Sequence, residues 1–365
     1  MDFRPSASQQ LLVATARDFL RTACPPEVSQ RLALDPRGFD EALWRRMAEL
    51  GWQGLLVPSD FGGSDGSLLD VVLLVEEMGR AGLPGPFVTS AVVVTSLIVA
   101  AGTDQQQKRL LPALAAGERI ATLAVVEDRG AFDGRPPALH CAVPGRLTGR
   151  KLFVKDAHVA DDLVVAARDD LLLLPADRPG ITRLPLDTLS GEKLFEVTFD
   201  AVPVHPEDRL GGPAASAAAL ARATTAGALA RVAEMVGAAQ RVFELAVEHA
   251  RTRVQGGRPI GGYQAVQHAC ADLVRDVDGA RGVLYLAAWK ASEGEPAVVD
   301  TAIAKAYAGE ACLAVARRAH QIFGAIGYCE EHPLHLFHKR IQAAHLDFGD
   351  AGAHLETVAR AIGLA

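Results

Sequence analysis

The chain has 365 residues, 49% of them hydrophobic, and a formal net charge of −7. This length suffices for a large buried core in about two or three domains, and the acidic balance, with no basic block, argues against a nucleic-acid-binding protein. No apolar run approaches the ~20 residues that a membrane span requires, and residues 1–10 lack the charged and then apolar layout of a signal peptide, so we expect no membrane partner.

The first segment, residues 1–118, is predicted to be a helical domain. Phe39 to Leu50 places apolar residues at helical spacing. Ser67 is a candidate N-cap for a second helix over Leu68 to Gly79. Asp104 is likewise a candidate cap for the last helix of the segment.

The second segment, residues 119–205, is predicted to be a small antiparallel β domain. Ile120 to Val126 is a continuous apolar run with β-branched residues, which is typical of a buried strand. Further strand candidates, each bounded by Asp, Gly or Pro, are Gly149 to Val154, Leu163 to Ala167, Leu171 to Leu174 and Lys193 to Phe199. Three prolines and two glycines in residues 203–213 indicate the connection out of this domain.

The third segment, residues 206–365, returns to helical periodicity. Leu229 to Ala250 shows the apolar face of one long helix. Further helices are predicted at Gln264 to Ala291, Asp300 to Phe323, His335 to Phe348 and Gly352 to Ile362. Helices, then strands, then helices predict an α+β fold, and without βαβ alternation no Rossmann sheet is expected.

The five cysteines are scattered through the chain and form no CxxC pair. An odd, unpaired set of this kind is typical of thiols in a reducing compartment. We therefore expect a cytoplasmic protein with neither a disulfide framework nor a metal site.

Four motifs, in the same order along the chain, resemble those of acyl-CoA dehydrogenases. The most specific is Arg253 to Gln264, which resembles the family pattern Arg-x-Gln-Phe-Gly-x-Pro-Ile followed by an aromatic and Gln. The other three are Glu49 to Gly79, Leu147 to Val154 and Gln321 to His335. Together they cover nearly the whole chain.

The resemblance implies a fold, a cofactor and a reaction. The family has an N-terminal helical domain, a middle antiparallel β domain and a C-terminal four-helix bundle with FAD and oligomer contacts. Its members remove a proton from the α carbon of an acyl-CoA thioester while hydride leaves the β carbon for FAD. We therefore expect an FAD-dependent acyl-CoA dehydrogenase, a flavoprotein of lipid metabolism that passes electrons to an electron-transfer acceptor.

The Arg253 motif is the first candidate cofactor site. An arginine among glycines can approach a pyrophosphate closely and bind it through paired hydrogen bonds, and the resemblance implies that Arg253 holds the FAD of a neighbouring subunit. Gln255, Tyr263 and Gln264 match family positions that also contact FAD. Gly256 stands where the family usually has phenylalanine, which removes an aromatic contact. The alternative interpretation of Arg253 is a solvated loop arginine.

Two further candidate cofactor segments follow from the resemblance. Gln321, Gly324 and Ala325 match a second FAD-contact segment at a helix end, for which an ordinary glycine helix stop is the alternative. Phe153 matches an aromatic that packs on the flavin ring. Lys155 stands where a threonine usually bonds the flavin edge. An aromatic residue among polar ones in a strand is otherwise usually core.

One loop departs from the family pattern. Family members usually continue after the first strand with Thr-Glu-Pro and then Gly-Ser-Asp, whereas this chain has Glu127-Asp128-Arg129-Gly130 and a short connection to Lys151. That loop helps to shape the flavin and acyl-CoA sites in the family. We therefore expect this subunit's own site to differ.

The catalytic base of the family is missing from both positions where it usually stands. One position is the Glu of a Glu-Gly pair, which is Phe348-Gly349 here. The other lies 26 residues before Arg253, at Gly227. A base in a dry pocket is central to the reaction, so the catalytic residue of this chain is unknown from the sequence.

Two carboxylates are candidates for a displaced base. Glu234 lies two helical turns beyond Gly227 on the same helix face, but ion pairing with Arg231 and Arg241 is the plainer role for it. Asp347 is adjacent to the usual position, although neighbouring helical residues diverge by ~100°. We expect Asp347 to point elsewhere.

Three hypotheses follow. The chain can be the base-lacking subunit of a bacterial, actinobacterial-type α2β2 acyl-CoA dehydrogenase, a group that acts on steroid or other bulky acyl-CoAs and that residues 335–350 resemble. It can instead be a self-sufficient flavoenzyme with a displaced base, or a related flavin oxidase or monooxygenase. The third hypothesis is a cofactor-free structural partner.

Overall fold

Helices occupy both ends of the chain and strands its middle in the computed structural model, which describes residues 5–127, 137–141, 145–168 and 170–364. The predicted α+β class, with helices before and after the strands, is confirmed. Asp128, Arg129 and Gly130, in the loop that departs from the family pattern, lie outside the described residues.

Six α-helices precede the first strand among the described residues. They are α1 (Ala7–Ala23), α2 (Pro26–Leu34), α3 (Glu41–Glu49), α4 (Leu68–Ala81), α5 (Thr95–Ala101), which continues a π-helical turn over Val88–Val94, and α6 (Asp104–Ala115). The prediction that Asp104 caps α6 is wrong by one residue. The Thr103 hydroxyl accepts from the Gln106 amide at 3.3 Å, and Gln106 Oε1 accepts from the Thr103 amide at 2.9 Å. This reciprocal capping box starts the helix at Asp104.

The middle of the chain forms two three-stranded sheets. Their strands are β1 (Ala121–Ala124), β2 (Arg146–Lys155), β3 (Asp162–Ala166), β4 (Leu171–Pro175), β5 (Ile181–Leu186) and β6 (Leu194–Pro203). The orders are β1-β3-β4 and β2-β6-β5. The pairings are antiparallel, as predicted, except that β1 runs parallel to β3. β5 was not among the predicted strands.

The two sheets share one apolar core. Both contribute fully buried aliphatic or aromatic side chains, for example Leu147, Val197 and Phe199 from one sheet and Leu163 and Leu174 from the other. Strand burial alternates along β6, which is typical of a strand with one face on the core. The core thus fixes which side chains of β2 and β6 point outwards.

The rest of the chain is helical apart from one small hairpin. The elements are α7 (Pro213–Thr252), β7 (Val254–Gln255), β8 (Arg258–Pro259), α8 (Gln264–Ser292), α9 (Val298–Phe323), α10 (Leu334–Leu346) and α11 (Ala351–Ala361). α9 packs against α8, α10 and α11, and seven of its sixteen buried residues are alanines, which let the neighbouring helices approach closely.

The described chain divides into two compact units. The first comprises the chain up to Arg31, Leu68–Leu83 and the chain from Ala228 onwards, and the second comprises Leu32–Ser67 and Pro84–Gly227. The three-domain division at 118 and 205 stays a prediction from the sequence.

Within the first unit, α4 and α7 touch backbone to backbone. A Cβ placed on Gly237 would lie 1.9 Å from the Glu76 carbonyl oxygen, and one on Gly79 would lie 2.3 Å from the Glu234 carbonyl oxygen. At the same crossing, Arg80 of α4 donates two hydrogen bonds to Glu244 of α7, at 3.1 and 2.8 Å. Only glycine at 79 and 237 permits this approach.

The described residues show neither a membrane-spanning helix nor a cluster of metal ligands. None of their helices is both long and apolar enough to cross a membrane. No group of three or more His, Cys, Asp or Glu side chains in these ranges could hold a metal ion. The five cysteines are free thiols.

Candidate functional site

Arg253 follows the end of α7 and leads into the hairpin β7–β8. Its amide donates to the His249 carbonyl at 2.8 Å, and its own carbonyl accepts from Ile260 at 2.8 Å. The side chains of Arg253 and Gln255 are exposed. The backbone at Arg253 is therefore held from both sides while its guanidinium faces solvent.

The hairpin turns on Gly256 and Gly257, whose φ values are +63° and +80°. Two successive residues with positive φ make the tight turn that suits the twist of a two-residue hairpin. A Cβ on Gly256 would lie 2.5 Å from the Tyr263 hydroxyl oxygen. The replacement of the family's phenylalanine by Gly256 therefore leaves room for Tyr263.

Tyr263 and Arg258 complete the hairpin. The Tyr263 hydroxyl donates to the Gln255 carbonyl at 3.0 Å. The Arg258 guanidinium carbon lies 4.1 Å from the centroid of the Tyr263 ring, within range of a cation–π contact. Gln264, the other predicted contact, is the exposed first residue of α8.

The second predicted cofactor segment lies at the end of α9, close to the first. His249, one turn before Arg253, stacks on Phe323 with ring centroids 4.5 Å apart. Gln321, Gly324 and Ala325 are exposed. Burial, and then the charge of Arg253, lower the pKa of His249, which keeps the ring between the two segments neutral near pH 7.

Gly324 ends α9 in a conformation that favours glycine, with φ +65° and ψ −141°. No atom lies within 4 Å of the place where its Cβ would stand. The backbone after α9 is thus open, as both the helix-stop and the cofactor-contact interpretations require.

Phe153 lies in the second unit, at an irregularity in β2. The β2–β6 register shifts between Lys151 and Val154, and Phe153 has φ +54° with 46% of the residue exposed. Such a bulge re-aims a side chain, and positive φ in a large non-glycine residue is costly and tends to occur at functional sites. The alternative that Phe153 is ordinary strand core is wrong, because its ring is half exposed.

Lys155, two residues on, is half-buried and paired. Its ammonium lies 3.0 Å from Glu192 Oε2, and its carbonyl accepts from the Thr122 hydroxyl at 2.5 Å. The ammonium is therefore held on the sheet by a carboxylate, unlike the threonine hydroxyl of the family.

A buried lysine anchors the altered loop where it leaves β1. Lys151 Nζ donates to the Val125 carbonyl at 3.0 Å and to Glu127 Oε1 at 2.6 Å. Glu127 also accepts from the amides of Ala138 and Leu139, each at 2.8 Å. Burial lowers the pKa of Lys151. Although burial opposes it, Lys151 and the two amides hold the pKa of Glu127 below its usual value.

Both candidate bases in the first unit are paired with Arg231. The Arg231 guanidinium contacts a Glu234 oxygen through one nitrogen and lies 2.7 Å from Asp347 Oδ2 through Nε. Arg340 Nη1 lies 3.7 Å from the other Glu234 oxygen. Glu234 is 8% exposed, so its ion pairing takes place in a buried position. The expected partner Arg241 pairs instead with Glu244, three residues further along α7, which also pairs with Arg80 of α4.

The side chain of Lys305 holds the backbone on both sides of Phe348. Lys305 is fully buried, and its ammonium donates to the carbonyls of His345 at 2.7 Å and Gly349 at 2.8 Å. Phe348 itself has φ +56°, and its carbonyl lies 3.0 Å from His354 Nε2. Gly227, the other usual base position, lies inside α7 in the second unit.

The described residues fit the diphosphate of FAD. The exposed Arg253 guanidinium forms no ion pair with any described carboxylate, and Gly256 and Gly257, which follow it in the hairpin, carry no side chain that could cover the backbone. Phe153 offers an exposed aromatic face on the second unit. When bound, FAD supplies the hydride acceptor of the dehydrogenation.

Sequence reasoning missed two features of these segments. The Gly-Gly pair between Val254-Gln255 and Arg258-Pro259 is a hairpin signal that could have been recognised. The buried Lys305 has no such signal, because an isolated lysine in an alanine-rich helix is equally compatible with an exposed face.

Two family models match this chain. Residues 217–363 match the acyl-CoA dehydrogenase C-terminal domain, and residues 6–118 match the acyl-CoA dehydrogenase N-terminal domain. Among curated proteins, the acyl-CoA dehydrogenase IpdE2 of Mycobacterium tuberculosis is 31% identical over 339 residues, which cover 92% of this chain and 91% of that protein.

Solved structures agree with these matches. A chain of the ChsE4-ChsE5 complex from Mycobacterium tuberculosis superposes with a TM-score of 0.91 at 28% identity, covering 100% of both chains. The structure of PigA with FAD and proline superposes with a TM-score of 0.91 at 25% identity, again covering 100% of both chains.

Proposed function

This chain belongs to the acyl-CoA dehydrogenase family, whose cofactor is FAD, and from that premise we propose that it is the base-lacking subunit of a heteromeric enzyme. The family are oxidoreductases that act on the CH–CH bond of an acyl-CoA. In the proposed assembly, a second acyl-CoA dehydrogenase-like chain supplies the carboxylate that removes the α proton.

One observation carries the proposal. The carboxylates nearest in sequence to the usual base positions form ion pairs with arginine side chains. Arg231 pairs with both Glu234 and Asp347. A base must present an oxygen to the substrate's α carbon in a dry pocket. A buried carboxylate paired with arginine has its oxygens occupied, and removing one partner from such a pair is costly. Glu234 therefore serves the packing of α7 better than it would serve catalysis.

The segment around Phe348 supports the same conclusion. An aromatic side chain stands where the family has its glutamate, and two hydrogen bonds from Lys305 hold the backbone on either side of it. Phe348 itself has no group that can accept a proton, and the neighbouring Asp347 is paired with Arg231. We infer that this chain contributes binding and shape, while its partner contributes the base.

The chain's own residues then have binding roles. Arg253, with Gln255 and Gln264 and with Tyr263 supporting the hairpin, binds the diphosphate side of an FAD held by a neighbouring subunit, and Gln321, Gly324 and Ala325 contact the adenosine half. Phe153 packs on a flavin ring. Lys155, paired with Glu192, presents its strand backbone at the ring edge.

The partners and substrate belong to the same proposal. Similarity to a chain of the ChsE4-ChsE5 complex supports an assembly of two unlike chains. We propose that this assembly is an α2β2 heterotetramer that includes self-association. We place the substrate among steroid or other bulky acyl-CoAs, the electrons with an electron-transfer protein, and the compartment in the cytoplasm, where free cysteines persist.

The proposal is tested by purifying the chain alone and together with an acyl-CoA dehydrogenase encoded beside it. Flavin absorbance and dye-linked dehydrogenation of a panel of acyl-CoAs are measured for both preparations. We expect the isolated chain to be about 10²–10⁴-fold less active than the complex, which is the usual contribution of a general base. Glu234→Gln should leave the turnover of the complex nearly intact.

The matched control is substitution of the partner's own glutamate by glutamine, which should abolish turnover without changing flavin content. Rapid flavin reduction by an acyl-CoA in the isolated chain, abolished by Glu234→Gln, would overturn the proposal in favour of a displaced base. A complex without flavin and without turnover would instead favour a structural partner.

A further inference from the structure

The hairpin carries more arginines than the single one, Arg253, that the resemblance to the family assigns to FAD binding. No acidic residue occurs between Glu248 and Asp272, whereas arginines stand at 251, 253 and 258. The whole chain has a net charge of −7, so this stretch is a local exception. Arg258 is exposed and pairs with none of the described carboxylates. An acid-free exposed segment of this kind attracts an anion.

The strand register places Arg253 and Arg258 on one face of the hairpin. Gln255 lies directly opposite Arg258, and the amide of Ile260 donates to the Arg253 carbonyl at 2.8 Å, which extends the ladder by one pair. Directly opposed side chains share a face, as do residues two apart on a strand. Arg253 and Arg258 are therefore diagonal neighbours, at a spacing of roughly 7–8 Å. Two guanidinium groups at this spacing can grip adjacent phosphates from both sides.

Arg258 is also held in place before any ligand arrives. Its guanidinium lies on the Tyr263 ring at 4.1 Å, and that ring is fixed by the hydroxyl's hydrogen bond to the Gln255 carbonyl at 3.0 Å. Stacking restricts a flexible side chain, so less conformational entropy is lost when it binds. The arrangement depends on Gly256, since a Cβ there would collide with the Tyr263 hydroxyl.

We propose that Arg258 is a second phosphate-binding residue, which acts with Arg253 on the diphosphate of FAD, and that Tyr263 and Gly256 are its positioning residues. The proposal rests on the proposed function, because it takes FAD as the ligand of the hairpin. It assigns Tyr263 a different task from direct flavin contact: the ring supports a cation.

The test measures the dissociation constant of FAD for the purified complex with its partner chain, by flavin fluorescence over a range of NaCl concentrations. Arg258→Gln should raise the dissociation constant about tenfold and make it less sensitive to salt, as expected for the loss of one charge-assisted contact. Arg258→Lys should recover part of the affinity. Arg222→Gln, an exposed arginine on α7, is the matched control and should behave as the unmodified complex.

The positioning role is tested by a double-mutant cycle. Tyr263→Ala should weaken FAD binding about as much as Arg258→Gln, and the double variant should be no weaker than either alone, because both remove the same contact. Tyr263→Phe keeps the stack and should have a smaller effect. Far-ultraviolet circular dichroism checks that each variant is folded.

The outcomes separate the two proposals. If the unmodified complex binds FAD, and Arg258→Gln matches Arg222→Gln in affinity and salt dependence, the role of Arg258 is overturned and the proposed function stands. Additive effects of Tyr263→Ala and Arg258→Gln would overturn the positioning role. If the unmodified complex binds no FAD, both proposals fail.

Discussion

Lys305 shows how one side chain can set the geometry of a segment it does not belong to. Its ammonium is buried in the first unit and donates hydrogen bonds to two backbone carbonyls, those of His345 near the end of α10 and of Gly349. Burial lowers the pKa of Lys305 to about 8, from 10.5. Below pH 8 it is charged in both the folded and the unfolded state. Between pH 8 and 10.5 only the unfolded state keeps the proton.

A first prediction follows from this difference. Because the unfolded state binds more protons, Lys305 makes the free energy of unfolding rise with pH from about 8 to 10.5, by up to roughly 3 kcal/mol. Lys305→Met should remove that rise. Urea unfolding of both proteins across this range measures the difference, which also cancels the opposite contribution of the buried Cys24 and Cys312 thiols, whose pKa values burial raises.

The exposed Lys108 provides the control, and Lys108→Met should retain the pH dependence of the unmodified protein. Equal slopes in Lys305→Met and the unmodified chain would show that the ammonium is not the titrating group.

The sequence predicted which residues stand at the site positions better than it predicted the contacts that those residues make. The absence of a carboxylate at Gly227 and Phe348 could be recognised from the sequence alone. The contact of Glu234 with Arg340 could not be recognised, because Arg340 is more than 100 positions away in the chain, and neither could the pairing of Arg231 with the equally distant Asp347. Local spacing correctly suggested Arg231, which is three residues away on the same helix, and wrongly suggested Arg241.

Helices and strands were predicted where local periodicity is strong. The long helices α8 and α9 begin and end within two residues of their predicted bounds. β5 was missed because its burial is shallow and it contains Pro185. The parallel pairing of β1 with β3 could not be predicted, because register between distant strands depends on the assembled core and leaves no local pattern.

The close crossing of α4 and α7 leads to a prediction about the stability of the protein. Gly237→Ala should destabilise the protein by about 3 kcal/mol or more, because its Cβ would meet the Glu76 carbonyl and the backbone of both helices would have to separate. Thermal and urea unfolding measure the loss.

Gly282→Ala is the matched control, since Gly282 lies within α8 with nothing within 4 Å of its Cβ position. Alanine there should stabilise the helix by about 0.5–1 kcal/mol. If the two substitutions had the same effect, the close approach at Gly237 would be refuted.

Across the whole molecule, histidines dominate the response to acid. Burial is the first cause of a lowered pKa at seven of them, which are His158, His249, His320, His332, His338, His345 and His354. The unfolded chain therefore takes up protons first as the pH falls through about 6.5. Stability that is fully present above pH 6.5 is lost below it.

We accordingly predict that the melting temperature is constant near pH 7 to 8 and falls steeply between about pH 6.5 and 5. His320→Gln should reduce the slope, since His320 Nε2 lies 2.9 Å from His338 Nδ1 and one of these nitrogens must stay unprotonated. The exposed His140→Gln should not. A flat melting profile through pH 5 would contradict the prediction.

The first unit is built from three stretches that are separate in the chain, and this affects how it folds during synthesis. α1 and α4 leave the ribosome early, yet the first unit resumes only at Ala228, about 145 residues after Leu83. At roughly 5–20 residues per second, the apolar face of α4 waits about 7–30 s for its neighbours. Val71 to Met78, which is buried in the folded protein, is an obvious client segment for a chaperone during that interval. We therefore expect the yield of folded protein to depend on chaperones that hold this segment as well as on the final stability of the fold.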